Sequence, residues 1–134
     1  MAILVGVLVG IVVVVSLSLS WWFKSSADRR ARQLLRAVLT HEQYRQLIRL
    51  GYIDIPSPSE PQRVYRVPQA HGRVYVIENE RLQASLCLQP LDWVPDDDLV
   101  VIHKLMIEAD EETYLQKANK IVPINASWRV LPNS

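Results

Sequence analysis

The sequence predicts an α+β protein in which one N-terminal transmembrane helix precedes a small domain. That domain comprises an αα unit, a three-stranded antiparallel meander and a C-terminal helix. Three observations carry the prediction. Residues 2–23 contain no charged side chain, so the 15 Lys and Arg and 14 Asp and Glu of the 134 residues all lie beyond them. Apolar residues then recur at helical spacing as far as Leu50 and switch to alternation after Gly51. Turn-forming clusters cut the alternating stretch into runs of strand length. The expected division is a span over 2–23, a domain over 24–122 and a tail over 123–134. Roughly 110 residues outside the span suffice for one small core. Their charge content excludes wholesale disorder, and the single Cys87 excludes an intramolecular disulfide framework.

The apolar run comes first. Twenty-two helical residues reach about 33 Å, enough for a hydrocarbon core of about 30 Å. Its Val and Ile content disfavours helix in water, but lipid leaves the backbone no other way to satisfy its hydrogen bonds. Ser16, Ser18 and Ser20 can bond back to their own helix carbonyls. Trp21 and Trp22, followed by Lys24, are the residue types that mark a membrane interface. A cleaved signal peptide is the competing reading, and Ser18-Leu19-Ser20 offers it a cleavage site. Against it, no basic residue precedes the run and two tryptophans follow it. From residue 24 to 50 seven basic residues face two acidic ones, a net of +5. The positive-inside rule therefore expects the domain in the cytoplasm and the short N-terminus outside the cell membrane.

Gly6 and Gly10 have the small-xxx-small spacing that lets two helices approach closely. They are the expected contact for a membrane-protein partner or a second copy. The run holds no acidic, basic or histidine residue, so it offers no ion path or proton relay.

Residues 25–39 read as a helix, with Ala31, Leu34, Leu35 and Val38 on one side. Arg29, Arg30, Arg32 and Arg36 follow directly on the membrane run, where anionic lipid headgroups are their expected counterions. Nucleic acid is not expected. Thr40-His41-Glu42-Gln43 fits a capping box, so a second helix opens there and Gly51 stops it. Ile53 and Ile55 then alternate with Asp54 before the prolines at 56, 58 and 61 make a stiff loop. Strands are expected over 63–67, 73–77 and 83–89, joined by short turn-rich connections. Residues 91–122 carry eight acidic and three basic residues, a net of −5. Asp96, Asp97 and Asp98 suit a helix N-terminus and tip the ambiguous stretch 99–108 towards helix, with a further helix over 110–120.

Local motifs give no catalytic, cofactor or metal site. His41, His71, His103 and Cys87 share no metal-pair spacing, and no phosphate loop, nucleophile elbow or dinucleotide fingerprint occurs. Cys87 sits between leucines, where a buried inert thiol is the usual state. His103 reads as a helix-face residue and His71 as a turn residue. The functional expectation is a single-span protein that presents an interaction domain, an accessory subunit or adaptor of a larger membrane assembly. Two alternatives stand beside it. One is a tethered enzyme assembled from Cys87, His103 and the acids at 96–98. The other is an extracytoplasmic binding domain released by signal cleavage.

Overall fold

The computed structural model describes residues 1–88, Pro90 and 93–122, without the side chains of residue 2 and residues 23–25. Helix α1 (Ala2–Val38) is unbroken, so the expected span and the expected first domain helix are one rod of 37 residues. It is the single helix long and apolar enough to cross a membrane among the described residues. Residues 3–22 are exposed throughout, and Ser16, Ser18 and Ser20 each donate to the carbonyl four residues back at 2.7–2.9 Å. Further along the same helix Ala31 and Leu35 are buried. One helix thus carries two surfaces: an exposed apolar one at its N-terminal end, and one that the domain's core covers at the other.

Leu39 leaves the helix in extended geometry. Thr40 then opens α2 (His41–Leu50) with both arms of the capping box formed: Gln43 N–H donates to its hydroxyl, and its own N–H donates to the Gln43 side chain. Gly51 closes α2 at φ +75°, a left-handed conformation that costs glycine nothing. Arg36 of α1 donates to the Tyr44 hydroxyl at 3.0 Å, which ties the two arms of the expected αα hairpin together.

The sheet has five antiparallel strands, not three. In chain and spatial order they are β1 (Tyr52–Pro56), β2 (Arg63–Pro68), β3 (Val74–Glu78), β4 (Arg81–Cys87) and β5 (Asn119–Ile121). The middle three match the expected meander. β1 is the Ile53/Ile55 alternation, too short by itself to separate from loop, and it pairs with β2 from Tyr52↔Pro68 to Pro56↔Val64. β5 begins inside the helix expected over 110–120. That helix ends early, as α4 (Glu111–Lys117), and the chain turns extended to join β4 through Cys87↔Asn119. Tertiary pairing overrides local helix propensity there. The ambiguous stretch resolves as helix, within α3 (Asp96–Ala109).

Burial alternates along the strands and identifies the core face. Ile53 and Ile55, Tyr65 and Val67, Val74 and Val76, and Ala84 and Leu86 all point to one side. Leu35 and Leu39 of α1, Leu47 of α2, Val100, Val101 and Ile107 of α3, and Tyr114 of α4 join them there. The opposite face carries Asp54 and Arg66, a two-pronged ion pair at 2.8 and 2.9 Å, with the guanidinium 4.2 Å above the Tyr52 ring. The expected tail over 123–134 lies outside the described residues.

Candidate functional site

Two clefts flank the tip of the β2–β3 hairpin, where the loop over residues 69–73 meets α1 and the first half of α3. The first, about 490 Å³, is lined by Asp28 and Arg32 of α1, Gln69 and His71 of the loop, and Asp96 and Asp97 at the start of α3. Its polar groups largely satisfy one another. Asp97, 8% exposed, accepts from Gln69 Nε2 at 3.0 Å and pairs with the exposed Arg32 at 3.5 Å. His71 Nδ1 lies 2.5 Å from an Asp96 oxygen.

The second cleft, about 370 Å³, lies on the other side of His71. Its walls are Pro68, Ala70, Gly72 and Arg73 of the hairpin, Cys87, Leu88 and Pro90 at the end of β4, and Leu99 and His103 of α3. Leu99 and His103 are four residues apart and so share one face of α3. Cys87 is half-buried on the wall of this cleft, not fully enclosed as its leucine neighbours suggest. His103 is 5% exposed, a buried group where an ordinary helix-face residue is expected.

The Tyr114 hydroxyl, from α4, meets His103 Nδ1 at 2.9 Å. Burial pushes the imidazole pKa down to about 4, so the ring is neutral at pH 7. Its tautomer follows from accounting for protons. Tyr114 is fully buried, and this is the one hydrogen bond its hydroxyl makes among the described residues. Were Nδ1 the donor, the phenolic proton would be buried with no acceptor, at a cost of about 1–3 kcal/mol. The hydroxyl therefore donates to Nδ1, and the proton of the neutral ring sits on Nε2. That assignment bears on chemistry. A Cys–His nucleophilic pair needs an imidazole nitrogen free to take the thiol proton. His103, of low basicity and protonated on Nε2, is a hydrogen-bond donor instead.

A separate polar cluster sits at the far end of the sheet. Glu111, 8% exposed, accepts from the Ser57 hydroxyl at 2.7 Å, from the Ser59 hydroxyl and N–H at 2.6 and 3.2 Å, from Tyr65, and from Arg63 at 3.3 Å. Burial alone would raise this carboxyl; the bonds from Ser59, Tyr65 and Ser57 outweigh it and hold its pKa at about 2. Both oxygens are occupied by the protein itself, so the cluster is a clasp and not an open site.

The residues singled out in the sequence fall in four groups. Gly6 and Gly10 have open space beside them: apart from their chain neighbours and the helix's own backbone, nothing lies within 4 Å of a β-carbon built there. Trp21 and Trp22 are exposed, while the Lys24 side chain lies outside the described residues. Of the four arginines, Arg29 and Arg30 are exposed, Arg32 turns to Asp97, and Arg36 sits 5.4 Å over the Tyr44 ring. Cys87 and His103 come together on one cleft, whereas Asp96 joins His71 on the other. Sequence reasoning misses His71 and Arg73 as cleft residues, Tyr114 as the partner of His103, and the whole Glu111 clasp. Each depends on partners brought together by the fold. Among the described residues no group of three or more His, Cys, Asp or Glu could hold a metal ion. Comparison with family models, curated proteins and solved structures finds no match to this chain.

Proposed function

We propose that this chain is a single-pass membrane protein that holds its α+β domain at the cytoplasmic face, as an accessory subunit or adaptor of a larger membrane assembly. The observation that carries the proposal is the continuity of α1. The helix that exposes apolar side chains over residues 3–22 buries Ala31 and Leu35 in the domain without a break. A rod shared in this way couples the domain rigidly to the span. The excess of basic residues just past Trp22 supports the cytoplasmic orientation. Exposed Arg29 and Arg30 remain free to face anionic headgroups.

The test is topology. With Cys87 replaced by serine, a cysteine placed at exposed Glu80 should resist a membrane-impermeant thiol reagent in intact cells and react after permeabilisation. Intact mass should include residue 1 or 2. Labelling of intact cells, or a mature N-terminus near Trp21, would favour the extracytoplasmic alternative. Purification in mild detergent from the native host should then bring down the same partner subunits reproducibly.

A second reading, a tethered protein that also handles a small molecule, draws support from the cleft shared by His103 and Cys87.

A further inference from the structure

We propose that the cleft between the β2–β3 loop and α3 binds a monocarboxylate with a short apolar body, its carboxylate held by Arg73 and by His103 Nε2–H. The inference stands whether or not the chain is an adaptor. It uses the shape and charge of the cleft alone.

Charge is the first argument. The two clefts share His71 but differ in sign. Asp28, Asp96 and Asp97 line the first, whereas no described residue lining the second is acidic. Arg73 is exposed at the rim of the second cleft and makes no ion pair among the described residues. A carboxylate entering there meets a guanidinium that can grip it with two parallel hydrogen bonds.

The second argument is a directed donor. Tyr114 occupies Nδ1 of His103, so Nε2 carries the ring proton, and it makes no hydrogen bond among the described residues. Among the described residues no buried side-chain polar atom lacks a partner, so this nitrogen, on a residue that lines the cleft, is accessible. A neutral buried imidazole held by a tyrosine is a fixed donor that asks for an acceptor. A ligand amine would offer none, and would also face Arg73.

The third argument is the rest of the wall. Leu88, Leu99 and Pro68 are apolar, and about 370 Å³ lies within the range of small-molecule sites. The polar end is thus fixed by two donors and the remainder asks for hydrocarbon. A phosphate ester or dicarboxylate would bring a second negative charge, and among the described residues lining this cleft there is no further Lys or Arg to match it.

Cys87 provides the readout, because it is the chain's only cysteine and lies half-buried on the same cleft. The full-length protein in phosphatidylcholine nanodiscs is alkylated with a small maleimide, with or without hexanoate, hexan-1-ol or hexylamine. A second set of discs carries oleate in the bilayer. Hexanoate should slow alkylation about tenfold at 90% occupancy, with hexanol and hexylamine giving little protection. Protection by hexanoate from water identifies a soluble acid. Protection by oleate alone identifies a lipid-borne one, and both outcomes support the site. Arg73→Gln, on an exposed loop, should raise the hexanoate concentration needed roughly tenfold or more, with protection measured against that variant's own unliganded alkylation rate. His103→Gln probes the second donor. Equal protection by hexanoate and hexanol, unchanged protection in Arg73→Gln, or no protection by any acid would overturn the assignment.

Discussion

Ser59 and Glu111 lie 52 residues apart in the chain, and the serine hydroxyl donates to the carboxylate at 2.6 Å. The bond closes the loop after β1 onto the first turn of α4, and Ser57, Arg63 and Tyr65 complete the same clasp. A carboxyl held at about 2 against an ordinary 4.5 stabilises the fold by about 3 kcal/mol at neutral pH. The folded value is the lower one, so this contribution is full above pH 4.5 and disappears as the pH falls towards 2. Glu111→Gln should cost about 3 kcal/mol at pH 7 and little extra at pH 2, measured by thermal or urea unfolding.

His103 acts in a different window. Its folded pKa of about 4 also lies below the ordinary 6.5, but here the lower value favours the neutral ring. As the pH falls below 6.5 the unfolded chain takes up the proton and the folded chain resists it. Stability should therefore drop by about 3 kcal/mol between pH 6.5 and 4 and then level off. His103→Gln should remove that drop and leave the lower Glu111 window intact. An identical pH profile for wild type and variant would place the acid sensitivity elsewhere.

The domain's dependence on α1 predicts where truncation becomes harmful. A chain starting at Ser26 keeps Ala31, Leu35 and Leu39, all buried, and should be soluble with mixed helix and strand by circular dichroism. A chain starting at Thr40 loses those three and uncovers apolar residues of α3. It should aggregate or fail to fold. Leu35→Ala in the longer chain should cost about 2–4 kcal/mol.

The β3–β4 turn carries a local cost. Glu78 pairs with Arg81, so Asn79 and Glu80 form a two-residue turn with φ of 50° and 62°. Asparagine tolerates that region and glutamate does so poorly. Glu80→Gly should stabilise the domain by about 0.5–1 kcal/mol in urea unfolding, with no change in the far-ultraviolet spectrum.

The span can be tested by association. Gly6→Ile or Gly10→Ile fills the open space beside each glycine, and should weaken helix–helix association by roughly 1–3 kcal/mol if that face packs a partner. Val13→Ile is the control. Equal association by all of them in a membrane two-hybrid or crosslinking assay would move any assembly contact into the domain.

The features legible in the sequence were those fixed by neighbours in the chain. The capping box at Thr40 and the stop at Gly51 need only residues within a turn, and both form as expected. β2, β3 and β4 carry enough alternation to be located within a residue or two. β1 and β5 have five and three residues, and their identity comes from the strand each pairs with. The same holds for the site. Cys87 and His103 could be named as reactive types, but their shared cleft, the Tyr114 bond and the opening beside Arg73 arise only when β4, the hairpin loop and α3 meet. Glu111 gave no warning because its main partners lie 46–54 positions upstream.

The unbroken course of α1 also fixes a compass bearing. Gly6 and Ala31 are 25 residues apart, as are Gly10 and Leu35. At 3.6 residues per turn, 25 residues bring the helix back to within about 20° of the same azimuth. The glycines therefore look out from the side of the rod on which the domain's body is mounted. A neighbouring helix seated on them stands beneath an overhang. Two identical copies, each gripping the other by this side, would drive their domains into the same volume unless the rods splayed apart. A slender companion that ends near the bilayer surface would fit under the overhang without conflict. If the glycines pack a helix, as proposed, the shape of this rod seats an unlike partner there more easily than a second copy.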